Sequence, residues 1–579
     1  MFQKSHGGNL RLLFLLFFTL YAFLGIRLLE RQLLQYGKFQ KLAESQHFPT
    51  LTLKAERGEI VDRQGKPLAL AYDADSLFVA SRQIPRQEKV LVSTLLAQQL
   101  SVSPSFLLDR VQRNKSFVWV KRKLPPEISS RIRQMKLKGV DFLKETQRVY
   151  PGGSLGGHLL GYADIDNTGL EGLERYYDRI LRGENGFRQV LRDAKRRALP
   201  STELKYRKPI DGLTLVLTID EMIQHIAEQE LEKAYQKYNA KGAAIIVMDP
   251  ATGEILALAN RPTYDPNKPG HSTADSRRNR AITDIFEPGS VFKVITAACA
   301  LQEGIVKESD KIFCENGLYH ISNHLLHDVH PYGTLTFREV IEKSSNIGTV
   351  KVAQKIGAER IHQYIIAFGF GRKTGIDLPG EVSGMVTPPK KWSGTSIANI
   401  PIGQGVGVTA IQLACAMGVI ANGGNWMQPH LLKEVLNSDR GVVKSYPLET
   451  PRPVLQEDIA ERLQRILVGV VEEGTGKYAQ LKGYQAGGKT GTSQKLDASG
   501  HYSNSEHIAS FVGFAPSPNP RIVIAVMVDD PHPAYYGGVV AAPVFKEVAQ
   551  QVLRYLEVPP REEGKTEVVL AYDQKKRPL

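Results

Sequence analysis

The sequence predicts an α+β multidomain protein tethered to a membrane by one N-terminal helix. Three observations carry that expectation. At 579 residues the chain exceeds what one hydrophobic core organises, and about 150 residues per domain gives roughly two to four domains. A charge-free apolar run, LLFLLFFTLYAFLGI at Leu12–Ile26, stands near the N-terminus. Strand-patterned runs open and close the C-terminal half around a mostly helical middle, the arrangement of an antiparallel sheet built from both chain ends. A composition that is 42% hydrophobic, 23% charged and 8% aromatic excludes a disordered chain, a collagen-like fibre and a multi-span membrane protein.

The anchor comes first. With Arg27 snorkelling, the apolar stretch extends to Leu29, slightly short of the roughly 20 residues a span requires. No Ala-x-Ala-like site follows Gly25, so an uncleaved anchor is expected rather than a signal peptide. Lys4 and Arg11 precede the segment while Arg27, Arg31, Lys38 and Lys41 follow it; taken alone, that mildly opposes an N-inside orientation. The next stretch, to about residue 200, is polar and turn-rich. ERGEIVDRQGKPLAL (Glu56–Leu70) reads as strand, Gln64-Gly65 turn, strand, and RVYPGGSLGGHLLGY (Arg148–Tyr162) is too glycine-rich for a long helix. KYRKPIDG (Lys205–Gly212) reads as a linker, and a helical stretch follows at Glu221–Tyr238.

Two apolar runs, AAIIVMD (Ala243–Asp249) and EILALAN (Glu254–Asn260), flank a PATG turn and predict a buried hairpin. TFREVIEKSS opens on a Thr336/Glu339 capping box. HIASFVGFA (His507–Ala515) and RIVIAVMVDD (Arg521–Asp530), joined by a PSPNP loop, predict two further strands before a helix at Ala542–Leu556. The charged tail from Pro560 is expected to fray. Lys and Arg number 74 against 60 Asp and Glu, a net +14 without long basic runs or a nucleic-acid motif, so the excess reads as a solvated basic surface. Cys299, Cys314 and Cys415 form neither a disulfide framework nor a metal-spaced cluster; they read as small buried apolar groups, and no metal or cofactor is called for.

Three short motifs carry chemistry. In FEPGSVFKVITAACALQEG, Pro288 and Gly289 place Ser290 at a helix start, and Lys293 follows one turn later on the same side. A serine hydroxyl is a weak nucleophile, and a lysine whose pKa falls on desolvation can activate it. The flanking residues are almost all apolar, so a lysine at this position needs a reason. Ser344-Ser345-Asn346, placed late in the capped helical segment, offers a hydroxyl and an amide to relay a proton and hold a peptide bond. Ser517-Pro518-Asn519 repeats that pattern in a turn, where structure alone accounts for it. Lys-Thr-Gly occurs twice. Lys373-Thr374-Gly375 lies in a glycine-punctuated loop, whereas Lys489-Thr490-Gly491 follows Gly487-Gly488 and precedes Thr492. Those glycines let a strand approach another backbone closely, and a cation with two hydroxyls on a strand edge suits a substrate carboxylate, so the second copy is favoured.

Ser-x-x-Lys, Ser-x-Asn and Lys-Thr-Gly in this order form the motif set of penicillin-binding proteins and serine β-lactamases. The resemblance extends over about residues 10 to 556. RGEIVDRQGKPLA (Arg57–Ala69), and RVYPGGSLGGHLLGY with GLEGLERYYD (Gly169–Asp178), resemble the pedestal of class B penicillin-binding proteins. FEPGSVFK, KSSNIG, PIGQGVGVTAIQLA (Pro401–Ala414) and GGKTGTSQK resemble their transpeptidase domain, and DDPHPAYYGGVVAAPVFKEV (Asp529–Val548) is similar to the closing segment of septal members.

That resemblance implies a transpeptidase domain of the penicillin-binding and serine β-lactamase-like type, an antiparallel sheet flanked by helices, on an elongated α+β pedestal. It divides the chain into a cytoplasmic tail (1–10), a transmembrane anchor (11–30), a pedestal (31–205), a linker and connecting helix (206–240), the transpeptidase domain (241–558) and a charged tail (559–579). It implies a single-pass inner-membrane enzyme whose catalytic domain lies outside the cytoplasm and cross-links D-Ala-D-Ala stem peptides at the division septum. By the same resemblance Ser290 is the nucleophile, Lys293 its base, Ser344 a proton relay and Asn346 a substrate-positioning amide. Lys489, Thr490, Gly491 and Thr492 bind the substrate, and the N–H groups of Ser290 and Thr492 form the oxyanion hole. β-Lactams are implied ligands, and a glycan polymerase and division proteins are implied partners. Ser345 replaces the Asp of the β-lactamase form of Ser-x-Asn, which shifts weight away from a β-lactamase. The alternatives are a D,D-carboxypeptidase, a spore- or elongation-specific transpeptidase, and a non-catalytic scaffold or β-lactam sensor.

Overall fold

The apolar run folds as helix α1, His6–Leu29, and the helical path continues in a wider turn over Glu30–Leu34. The span Leu10–Leu34 covers 25 residues at mean hydropathy 2.3, with none of it buried against the rest of the chain, so it is long and apolar enough to cross a membrane. It outlasts the expected Leu29 limit because Arg27 and Glu30 neutralise each other at 3.1 Å and let the helix run on. The computed structural model of the chain describes residues 6–40, 50–113, 115–192, 198–321, 324–446, 450–496 and 499–561. Half of the expected cytoplasmic tail (residues 1–5) and most of the charged tail (residues 562–579) lie outside the described residues.

The chain forms two compact units. The first unites Met1–Arg57 with Arg182–Gly212. In it Thr50–Leu53 pairs antiparallel with Gly186–Arg192, which pairs with Ala198–Arg207. The expected linker is therefore structured at its start: Lys205, Tyr206 and Arg207 are strand residues, each with a cross-strand partner.

The second unit unites Gly58–Leu181 with Leu213–Leu579. Ile60–Val61 and Pro67–Val79 make the expected hairpin, its turn at Gly65. Thr214–Leu217, within the stretch expected to link and connect, adds to Ile60–Val61 as a parallel strand. Helix α2, Glu221–Lys237, follows, capped by Asp220, whose side chain accepts from the N–H groups of Met222 and Ile223.

Next come β1 (Gly242–Met248) and β2 (Ile255–Arg261), the expected hairpin, then helices α3 (Lys293–Gln302), α4 (Phe337–Glu342), α5 (Asn346–Ile356) and α6 (Ala410–Ala421). Strands β3 (Gly487–Leu496), β4 (Tyr502–Ala515) and β5 (Ile522–Asp529) and helix α7 (Ala542–Tyr555) close the domain. The sheet runs β2-β1-β5-β4-β3 with every pair antiparallel, so both chain ends build it, as the patterning predicts. β1 is apolar throughout because both sheet faces are covered. Ala244, Ile246 and Met248 enter one core with α3 and α6, while Ala243, Ile245 and Val247 enter another with α2 and α7. β3 is an edge strand of this sheet, paired with β4 alone among the described residues.

Candidate active site

Ser290 lies in the tight turn Gly289–Phe292 that leads directly into α3. Gly289 has φ +55°, and a Cβ there would come within 2.7 Å of the Thr492 carbonyl oxygen, so glycine alone lets this turn press on β3. Gly289 N–H donates to the Gly403 carbonyl at 3.1 Å and fixes the other side of the turn. Ser290 is partly exposed, and its hydroxyl has no hydrogen-bond partner among the described residues.

Lys293 and Lys489 are both fully buried and converge on one hydroxyl. Lys293 Nζ donates to Ser344 Oγ at 3.1 Å and to the Ser344 carbonyl at 2.6 Å; Lys489 Nζ donates to Ser344 Oγ at 3.0 Å. Two ammonium groups sharing a hydroxyl away from water repel each other and lack solvation. Burial pushes Lys489 down to about 7. Lys293 falls well below its ordinary value through burial and the neighbouring Lys489, with Asp328 opposing in part. Burial thus favours the neutral form of both amines, the form a general base requires.

The Ser-Ser-Asn stretch departs from its expected place late in a helix. The capping box forms, with Glu339 N–H donating to Thr336 Oγ1 at 3.2 Å, but α4 ends at Glu342. Ser344 adopts φ +59° in the break between α4 and α5, Ser345 caps α5, and Asn346 is the first residue of α5. The reason is Asp328, which the sequence did not single out. It follows the antiparallel hairpin of Leu318–Ile321 and His324–His327. Its carboxylate accepts from Ser345 Oγ at 2.6 Å, Asn346 N–H at 2.5 Å and Ile347 N–H at 3.1 Å. A carboxylate that satisfies the free N–H groups of α5 makes a new helix start there favourable. Asn346 Nδ2 donates to the His327 carbonyl at 2.8 Å, which orients its amide.

On β3, Thr490 Oγ1 lies 3.0 Å from Thr475 Oγ1, and Thr492 Oγ1 accepts from Gly537 N–H at 3.0 Å. β3 thus carries a lysine and two hydroxyls on the strand against which the Ser290 turn packs.

Comparison with known proteins gives the family. Residues 243–550 match the penicillin binding protein transpeptidase domain, and residues 52–217 match the penicillin-binding protein dimerisation domain. The chain belongs to the class B penicillin-binding proteins. It is 34% identical over 564 residues to a probable peptidoglycan D,D-transpeptidase PenA of Neisseria meningitidis, covering 96% of this chain and 95% of that protein. It is 38% identical to stage V sporulation protein D of Bacillus subtilis, covering 95% and 86% respectively. The crystal structure of penicillin binding protein 3 from Mycobacterium tuberculosis complexed with aztreonam superposes with a TM-score of 0.70 at 29% identity, covering 88% of this chain and 98% of that one.

This penicillin-binding protein is a serine-type peptidoglycan D,D-transpeptidase. Its decoy motifs have structural duties. Thr374 of the first Lys-Thr-Gly is buried, and its N–H and hydroxyl both donate to Glu381 Oε1 at 2.6 Å, closing a loop on that carboxylate. Ser517-Pro518-Asn519 occupies the turn between β4 and β5. The glycines before Lys489 act differently from expectation: a Cβ on Gly487 or Gly488 would strike first the rings of Phe514 and Phe511, so they make room for core aromatics more than for a backbone. His158 is packed, with Nε2 2.8 Å from the Ser276 carbonyl and its ring edge-on to Tyr264, and burial lowers its pKa to about 4. His225 is exposed on α2, and all three cysteines are buried.

Proposed function

We propose that this class B enzyme is the division-specific, septal transpeptidase of its cell, and that Ser290 performs the chemistry with the residues grouped around Ser344. The observation that carries the site assignment is the convergence of two buried lysines on one hydroxyl, with Ser290 one turn before Lys293 and its Oγ without a partner among the described residues. Lys293, its pKa lowered by burial, takes the Ser290 proton as Oγ attacks the carbonyl of the penultimate D-alanine. The proton passes through Ser344 Oγ to the amine of the leaving D-alanine as the peptide bond breaks. Backbone N–H groups of Ser290 and Thr492 hold the oxyanion, Asn346 holds the stem amide, and Lys489 with Thr490, Gly491 and Thr492 holds the terminal carboxylate. A neighbouring stem's amine then attacks the ester, gives up its proton and returns Ser290 to its hydroxyl form. On this reading residues 31–205 form the pedestal, residues 241–558 the catalytic domain, and the body lies outside the cytoplasm, where the wall is.

The septal assignment rests on the Asp529–Val548 segment that resembles division-specific members. Two experiments test the proposal. Full-length enzyme in detergent, given uncross-linked glycan strands bearing D-Ala-D-Ala stems, should release D-alanine in step with cross-linked product; release without cross-links would make it a carboxypeptidase. A fluorescent fusion should concentrate at midcell, and a lateral or forespore pattern would overturn the septal role.

A further inference from the structure

Glu287, three residues before Ser290, is a half-buried carboxylate with no ion-pair partner among the described residues. Its main chain and its side chain are both tied to neighbouring elements. Its main-chain carbonyl accepts from Ser493 Oγ at 2.6 Å, and Ser493 directly follows Thr492 on β3. Its side chain accepts from Gly405 N–H at 2.8 Å and from the Tyr502 hydroxyl at 3.1 Å on each oxygen. Burial raises its pKa, the mark of a carboxylate short of solvent and of a cation.

Its place along β3 gives it a ligand. The strand runs from Lys489 and Thr490, where the donor's terminal carboxylate sits, through Thr492 to Ser493 and Glu287. A peptide added to this edge, rising about 3.3 Å per residue, carries its upstream residues past Thr492 toward Glu287. The proposed reaction takes its acceptor amine from a neighbouring stem, and a donor stem of the same chemistry carries its own copy upstream of D-Ala-D-Ala. We propose that Glu287 is a specificity-determining residue that receives the side-chain ammonium of the donor stem peptide, with Tyr502 and Gly405 fixing the carboxylate to face it. This rests on the transpeptidase reading of the site and adds to it the side-chain class preferred in the donor.

The test uses two thioester donors, Nα-acetyl-lysyl-D-alanyl thioglycolate with a free ε-amine and its ε-acetylated twin, with full-length enzyme at pH 7. Acyl-enzyme formation is followed by mass spectrometry. The free amine should acylate the enzyme about tenfold faster, the size of one part-exposed charge-assisted hydrogen bond, and that ratio should shrink as salt rises. Glu287→Gln should bring the ratio near one, and Glu287→Asp should restore part of it. Equal rates in the wild type, or a ratio kept by Glu287→Gln, overturn the assignment. Acylation by neither donor overturns the transpeptidase reading and this one with it.

Discussion

Asp328→Ala removes the acceptor of three hydrogen bonds at the start of α5. Each charge-assisted bond contributes about 1.5–3 kcal/mol, but the losses do not simply sum. Asp328 is only half-buried, so water can reach the freed Asn346 and Ile347 N–H groups. Ser345 Oγ also keeps its bond from Gly348 N–H at 2.9 Å. What remains is the charged interaction with the helix terminus and about one unreplaced bond, roughly 2–4 kcal/mol of local stability. At 1.4 kcal/mol per factor of ten, amide exchange in the first turns of α5 should accelerate about 30- to 1000-fold. Ser344 and Asn346 flank that cap, so acylation by a fluorescent penicillin should slow by about tenfold or more. Asp328→Asn, which keeps one oxygen, should fall between. Unchanged exchange and unchanged acylation in Asp328→Ala would refute the view that this carboxylate sets the helix break.

Lys489→Ala should slow acylation by about two orders of magnitude or more, as loss of a preorganised electrostatic group does, whereas Lys373→Ala should alter acylation little and stability by less than about 1 kcal/mol; stopped-flow acylation and thermal melts check both. Lys489 titrates at about 7 in the folded chain and about 10.4 when unfolded, so the unfolded state holds the extra proton between those values. Stability contributed by this group therefore grows as pH rises through that window and is lost as pH falls toward 7. The Tm of the wild type should rise relative to Lys489→Met between pH 7 and about 10, and a difference that falls or stays flat would count against the buried amine. A periplasm-active reporter fused after Leu579 should be active, and the mature N-terminus should precede Gly25; a reporter active only in the cytoplasm would reverse the orientation.

The elements most readable from sequence are those set by local chemistry. The Thr336/Glu339 capping box, the Gly65 turn and the β1–β2 hairpin form where pattern and turn residues place them. The motif order also marked the side chains that gather at Ser344. What the chain pattern hid depends on contacts across long separations. Asp328 reaches Ser345 from 17 residues away and helps start a new helix at Asn346. The strand at Thr214–Leu217 lies between Ile60–Val61 and Leu432–Leu436, and no signal near residue 214 reports those partners. Glu287 looked like part of a motif, and only its contacts with Tyr502 and Ser493 show where its carboxylate and carbonyl are held.

The most direct measurement of the central claim is mass spectrometry of the intact protein after incubation with penicillin, followed by peptide mapping. A β-lactam acylates the nucleophile while its leaving amine stays tethered, so the ester persists. The account predicts one adduct per chain on Ser290, absent from Ser290→Ala. An adduct on another residue, or one that survives Ser290→Ala, would contradict it.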